Sequence, residues 1–418
     1  MPDALDLVIR RARLPGAALD SLVDIGVRGG TIAAIAPVLE ASVSEFDAAG
    51  RITIPGFVET HIHLDKSCIF DRCHLHEGTL EEAIKEVASA KRDFTEEDIY
   101  LRARKTLEKA IVRGTTRMRT HVEVDPRIGL KGFRAISRLK REYAWAVDLE
   151  ICVFPQEGLL NDPGCDELLV AACEQGADLI GGCPYTDSDS LAQISRIFDL
   201  ARAFDLDIDF HLDFDLMPER MDLDEICEQT SLRKWGGRVA IGHVTKLSAV
   251  DALTFQAKAK MLADAGVAVT VLPATDLFLM GRGHEANVPR GVTPAHKLLA
   301  HGVNCSLATN NVLNPFTPFG DCSLPRMANL YANVAQAGTL ETIASCFEMI
   351  TQRPAKLTNL RDYGISVGNP ADFVILDCHS IVGAVAEIAQ PIVGFKRGIK
   401  TFTHAVPELH FTATRRST

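Results

Sequence analysis

Two histidines one residue apart, His61 and His63, close an apolar and β-branched run that holds Ile52, Ile54, Phe57 and Val58. Residues i and i+2 of a strand face the same way, so both imidazoles project together from Cα atoms about 6–7 Å apart. That spacing lets them share one metal ion, and imidazole suits zinc, iron and other first-row metals. A lone His-X-His can equally be two polar residues on a solvated strand face. Here the pair follows a run that reads as buried, and further histidines arrive downstream in the same setting.

Those residues close other strand-like runs. His121 and Glu123 end one, Gln156 and Glu157 follow a second, and His211 and Asp213 end a third, with Phe214 next in line. His243 ends another, and Asn310 and Asn311 follow the last. The chain has thirteen histidines, and a set of satisfied core histidines explains this coincidence less well than a shared site does. His61, His63 and His211 make three neutral nitrogen ligands with a fourth position open to water, the pattern of a catalytic rather than a structural site. A metal there lowers the pKa of its water and supplies hydroxide at neutral pH. His243, beside the metal, would orient that hydroxide or donate to a developing oxyanion. Gln156 is placed to read a substrate amide edge or, equally, to bond backbone. His121, Phe214 and Asn311 join it as candidate substrate contacts, and Asp213 as a candidate catalytic acid. Cys68 and Cys73 lie near the His pair but read as loop or core residues. Arg282 and His284 sit in a loop that reads as flexible, where Arg282 is either solvated or meets an anionic substrate group.

The strands that carry these residues begin near 52, 116, 148, 179, 207, 239, 268 and 304. Most are followed by a helix-like segment: 79–90 and 95–113, then 130–142, 164–175, 189–204, 222–234, 248–265 and 293–301. Such alternation means a parallel sheet, and eight units in roughly 300 residues predict a (β/α)8 TIM barrel with its working residues at the C-terminal strand ends. A doubly wound open sheet would show a Gly-rich phosphate loop after an early strand, and none is present. Apolar helices near 324–337 and 340–350 are expected inside the barrel or at a subunit interface, which leaves a homo-oligomer open. Both ends of the chain are rich in short strands and turns, such as the Gly29-Gly30 hairpin signal. They predict a small β-domain from 1–55 and 361–418 around a barrel at 56–360.

Composition narrows the partners. At 418 residues, 47% hydrophobic and 24% charged, the chain is an ordinary globular protein with material for a large core. A net charge of −11 without a basic stripe argues against nucleic acid. No apolar run is long enough to span a bilayer, and the opening residues lack a signal-peptide pattern. The eleven cysteines are scattered without CxxC pairs, which suits reduced thiols in a cytoplasm. A small-molecule substrate is the expected partner.

The chain resembles the amidohydrolase superfamily, and within it the cytosine deaminase-like branch that includes N-substituted triazine amidohydrolases. The motifs are Glu59-Thr60-His61-Ile62-His63-Leu64-Asp65, Arg119-Thr120-His121-Val122, Phe154-Pro155-Gln156-Glu157-Gly158, His211-Leu212-Asp213, Gly242-His243, and Asn311-Val312 with Asn314-Pro315-Phe316 and Pro318-Phe319-Gly320. The resemblance spans nearly the whole chain. It implies a (β/α)8 barrel with a β-sandwich built from both termini, and one Fe or Zn at His61, His63 and His211. It also implies a water-orienting His243 and a Gln156 that contacts an amide-like ring. The motif has no carboxylated lysine, Lys66 lying in the first loop, so a binuclear site is not expected. The implied reaction is hydrolysis of a C–N bond in a small cyclic nitrogen compound.

Two positions depart from the branch. Where it has a metal-ligating, proton-accepting aspartate at the end of strand 8, this chain has Asn310, whose amide oxygen can meet a metal but takes no proton at neutral pH. Where its deaminases carry a glutamate three residues after the strand-5 histidine, this chain has Phe214, so cytosine itself is not the expected substrate. His243, Asp213, Asp215 and His121 are the candidate substitutes for the missing acid–base groups. The other reading is a catalytically disabled, metal-retaining binding protein.

Overall fold

The computed structural model describes residues 4–18, 21–40, 42–405 and 407–410. Parts of the expected end domain, 1–3 and 411–418, lie outside the described residues. Eight parallel strands form one sheet in sequential order: β1 (Phe57–Ile62), β2 (Thr115–Glu123), β3 (Asp148–Phe154), β4 (Leu179–Ile180), β5 (Asp207–Leu212), β6 (Val239–His243), β7 (Val267–Val271) and β8 (Cys305–Leu307). Strands covered on both faces read as unbroken runs rather than alternating ones, and every residue of β1 is buried. The sheet closes on itself through a parallel bridge between Ile62 and Asn310. Asn310 N donates to His61 O at 2.8 Å and His63 N donates to Asn310 O at 2.9 Å. The fold is a (β/α)8 TIM barrel with a β-sandwich.

The expected helices are present, from Leu80–Ala90 to Leu340–Glu348. Thr79 caps the first by accepting from Glu82 N at 3.2 Å. The Glu82 carboxylate does not complete a capping box. It accepts instead from the backbone of His76, Glu77 and Gly78. Leu324–Ala335 and Leu340–Glu348 place Leu324, Ala328, Tyr331 and Phe347 in the main hydrophobic core. A short helix, Pro273–Leu279, directly follows β7 and was not expected from the sequence. No helix among the described residues is long and apolar enough to cross a membrane.

Two four-stranded sheets form the sandwich. One orders Thr31–Ala36, Val23–Arg28, Leu7–Ala12 and Ser44–Asp47, and the other Ile399–Thr403, Pro391–Lys396, Phe373–Leu376 and Thr53–Pro55. Their shared core includes Ile9, Ile25, Phe373, Ile375 and Phe395. Gly29 and Gly30 both take positive φ, at 57° and 78°, as a tight hairpin requires. Lys396 ties the sandwich to the barrel: its buried Nζ donates to Asp148 at 2.7 Å, Asp372 at 2.6 Å and Thr116 O at 3.3 Å.

The first barrel strand begins at Phe57, not near 52. Residues Thr53–Pro55 pair antiparallel with Phe373–Leu376 in the sandwich instead. The hydrophobic run is continuous in sequence, so it does not mark where one sheet hands over to the next. Gly56 does. A Cβ there would sit 2.1 Å from Thr116 Cγ2 and 2.6 Å from Thr116 Cβ, so the chain crosses between sheets only without a side chain. Gly56→Ala should destabilise the fold by about 1–3 kcal/mol, as overpacking does, read as a lower urea midpoint. Adding Thr116→Ala should restore part of it, and equal midpoints for the parent and Gly56→Ala would contradict the crossing argument.

Candidate active site

The C-terminal ends of β1 and β5 bring three imidazoles together. His211 Nε2 lies 3.0 Å from His61 Nε2 and 3.0 Å from His63 Nε2. All three side chains are buried, and their Nδ1 atoms have no hydrogen-bond partner among the described residues. Burial pushes each pKa well below the ordinary histidine value, and nearby cations and imidazoles add to it: Lys66 next for His63, His121 next for the other two. The rings are therefore neutral, and neutral nitrogens are what a metal takes. Two nitrogens bound to one zinc at about 2.0–2.1 Å lie roughly 3 Å apart, which is the separation found. The residues fit one divalent ion.

His121 enters differently from expectation. Its ring stacks on His61 with centroids 3.7 Å apart, so it backs the cluster as part of its wall. His61, His121 and His211 also bring ligand nitrogens within 4.8 Å of one another, a second triad sharing two members with the first. The His63 set is favoured because His211 Nε2 lies 3.0 Å from the Nε2 atoms of both its other members, whereas His121 Nε2 faces the Asp209 carboxylate at 3.5 Å. Asp209 is itself held by Arg119 at 3.0 Å. Burial would raise its pKa, but His121 and Arg119 outweigh it and keep the carboxylate ionised.

The barrel-closing residue stands opposite. Asn310 is buried, takes φ 63°, and neither side-chain atom has a partner among the described residues. Unpaired buried amides are costly, so these atoms await a ligand or an ion. Beneath them Glu59 accepts from His61 N at 3.1 Å and Thr309 N at 3.1 Å, and burial pushes its carboxyl up to about 7. Asn311, expected at the substrate, has its oxygen accepting from Asn314 at 2.7 Å. It also borders an apolar cavity of about 360 Å³ with Phe278 and Phe319.

Gln156 is fixed by a cation. Lys66 Nζ donates to Gln156 Oε1 at 2.9 Å and to Glu123 Oε1 at 2.7 Å, so the Gln156 oxygen is committed to a cation. Its Nε2 contacts Cys183 Sγ at 3.4 Å. Glu123 in turn shares Lys91 with Asp125 and Glu157, at 2.9, 2.5 and 2.6 Å. Burial alone would raise the Glu123 pKa, yet the two lysines hold it down to about 2. The Glu123, Asp125 and Glu157 oxygens lie close enough to hold a cation, and the Lys91 ammonium fills that role.

Two expected residues are differently employed. Asp213, a catalytic candidate from the sequence, has its carboxylate engaged by backbone. Its carboxylate accepts from Asp222 N at 2.9 Å and Leu223 N at 3.1 Å, capping the helix Leu223–Arg233. Asp215 likewise accepts from Met217 N at 2.7 Å. Phe214 stacks on His243 with centroids 3.8 Å apart, so it walls the imidazole. Arg282 lies over Phe278 and donates to Glu77 O at 3.0 Å. His243 makes the contact that sequence reasoning missed: its Nδ1 is 2.6 Å from Asp276 Oδ1. The one local signal for Asp276 was Pro273 at a helix start with an acid in its first turn, a pattern that favours N-termini.

Two outcomes test this geometry. Metal analysis of purified variants should show His63→Ala and His211→Ala losing the ion, while His121→Ala weakens binding by about 10–100-fold, as an outer partner does. Loss at His121 with retention at His63 would select the other triad. Separately, Lys91→Met should cost about 3–5 kcal/mol of stability, the usual result of stranding buried charge, read by urea unfolding. An unchanged midpoint would mean that the three carboxylates do not depend on it.

The amidohydrolase family pattern matches residues 52–402. N-isopropylammelide isopropyl amidohydrolase of Pseudomonas sp. (strain ADP) is 27% identical over 95% of this chain and 97% of its own length. Pterin deaminase of Rhizobium rhizogenes is 28% identical over 90% and 89%. Among solved structures, 5-methylcytosine deaminase from Klebsiella pneumoniae with 5-fluorocytosine superposes with a TM-score of 0.92 at 28% identity, covering 97% of this chain and 99% of that one.

Proposed function

Since this chain belongs to the amidohydrolase family, whose cytosine deaminase-like members hydrolyse non-peptide C–N bonds, we propose that it removes an exocyclic nitrogen from a small oxo-substituted nitrogen heterocycle other than cytosine. The observation that carries this reading is His211 Nε2 lying 3.0 Å from both His61 Nε2 and His63 Nε2 at the C-terminal strand ends. One zinc or iron ion held there, with the Asn310 oxygen as a further ligand, would supply Lewis acidity and an acidified water. The relatives named above act on a triazine, a pteridine and a pyrimidine, which supports the ring class.

The side chains divide the remaining work. Gln156, its oxygen held by Lys66, offers N–H to an acceptor on the ring, a carbonyl oxygen or bare ring nitrogen. His243 faces the reacting carbon from β6 and moves protons there. Phe214 covers one face of that imidazole and puts no carboxylate where a cytosine-type ring nitrogen would meet one. Asp65 accepts from Glu123 N at 2.9 Å and Lys66 N at 2.9 Å, which holds the first loop against β2. Asn310 and Phe214 also favour a second reading, a metal-retaining binder without turnover.

A panel of N-substituted triazines, pteridines, cyclic ureas and amidines, assayed for ammonia or amine release, separates the two. The parent protein should turn over at least one compound, and Asn310→Asp should change that rate by less than about tenfold, below the usual worth of a general base. Turnover by Asn310→Asp alone, with equal metal content in both, would establish the binder.

A further inference from the structure

Resting on the hydrolytic reading above, we propose that Asp276 is the positioning carboxylate that makes His243 the proton carrier of this site, in the place where Asn310 cannot serve. Three devices fix the imidazole. Its Nδ1 lies 2.6 Å from Asp276 Oδ1, and the other Asp276 oxygen accepts from Leu272 N at 3.3 Å. Asp276 is fully buried, so the bond acts in a low dielectric, where it is strong. The backbone is left-handed at His243 (φ 68°) and Val244 (φ 51°), and buried Thr293 Oγ1 lies 2.8 Å from both carbonyls. Strain of this kind persists only where the surroundings over-determine it. Phe214 covers one face of the ring at 3.8 Å.

The consequence is a defined tautomer. Nδ1–H donates to the carboxylate, which leaves Nε2 with a lone pair. The His243 ring centroid is 6.1 Å from that of His61 and 5.7 Å from that of His211, outside their nitrogen cluster and within reach of a water between them. Other buried carboxylates near the rim bond elsewhere: Glu59, Asp65 and Asp213 to backbone N–H groups, Glu123 to Lys66 and Lys91, and one oxygen of Asp209 to Arg119. Among the described residues, only Asp276 brings a carboxylate within 2.6 Å of an imidazole nitrogen.

The step balances without a further reactant. The water oxygen bonds the sp² carbon as the C=N pair moves onto the ring nitrogen. One water proton ends on that ring nitrogen. The other passes to His243 Nε2 and from there to the leaving nitrogen, as the C–N bond breaks and a carbonyl forms. Ammonia or an amine departs. Asp276 keeps its bond to Nδ1–H throughout and stabilises the transient imidazolium.

The test compares the metal-loaded full chain with Asp276→Asn, Asn310→Asp and the double variant, on whichever panel compound the parent hydrolyses, alongside ¹⁵N-histidine NMR. Because Leu272 N–H requires an acceptor, an asparagine would turn its NH₂ toward Nδ1 and force the proton to Nε2. Asp276→Asn should therefore flip the His243 tautomer and lower kcat by about 10²–10⁴-fold with KM little changed. Restoring a carboxylate by Asn310→Asp in that background should return at least about tenfold, which repair of a merely structural defect would not do. An unchanged tautomer, full activity in Asp276→Asn, or no recovery in a folded double variant would overturn the proposal. If Asp276→Asn does not fold, the parent spectrum decides: a bare Nδ1 contradicts the assignment. A flipped tautomer with no turnover by the parent on any compound would leave the positioning intact and sink the hydrolytic reading instead.

Discussion

Two backbone hydrogen bonds join Asn310 to His61 and His63, and the candidate site depends on them. They seal β8 against β1 and so turn an eight-stranded sheet into a barrel. The same residues supply side chains to the cluster, which means that closure and ligand geometry are set together. Glu59 reinforces the seam from below by taking amides of both strand ends. A left-handed φ at position 310 suits asparagine better than most side chains, and its amide offers the site no proton acceptor at neutral pH.

Burial drives the rest of the chemistry. Isolated charges are expensive in such an interior, and each buried carboxylate around the rim has found a distinct partner. Glu123 is pinned between Lys66 and Lys91, Asp209 by Arg119, Asp213 by a helix start, and Asp276 by His243. The three histidines at the centre answer the same constraint by staying neutral. Their Nδ1 atoms and the Asn310 amide are among the buried polar atoms left without a partner among the described residues, and these sit together at the cluster.

The sequence displayed most of this because parallel strands announce themselves as apolar runs and polar residues at their ends mark the catalytic rim. His61, His63, His211, His243 and Gln156 were legible on that basis. The start of the first barrel strand, expected near 52, was not, since hydrophobicity does not distinguish two sheets that share a run. Asp213 looked catalytic because a strand-end acid and a helix cap have the same sequence address. Asp276 stayed hidden in a seven-residue helix, too short for a periodic signal, and its partner lies 33 positions away. Lys66 was visible, but its hold on Gln156 needed the third dimension.

X-ray absorption at the metal edge of the loaded protein tests the central claim most directly, because it reads the ligands of the ion itself. The account predicts one metal per chain with about three imidazole nitrogens near 2.0–2.1 Å, completed by oxygen. A sulfur shell near about 2.3 Å, or a first shell without imidazole, would contradict it and move the site elsewhere in the molecule.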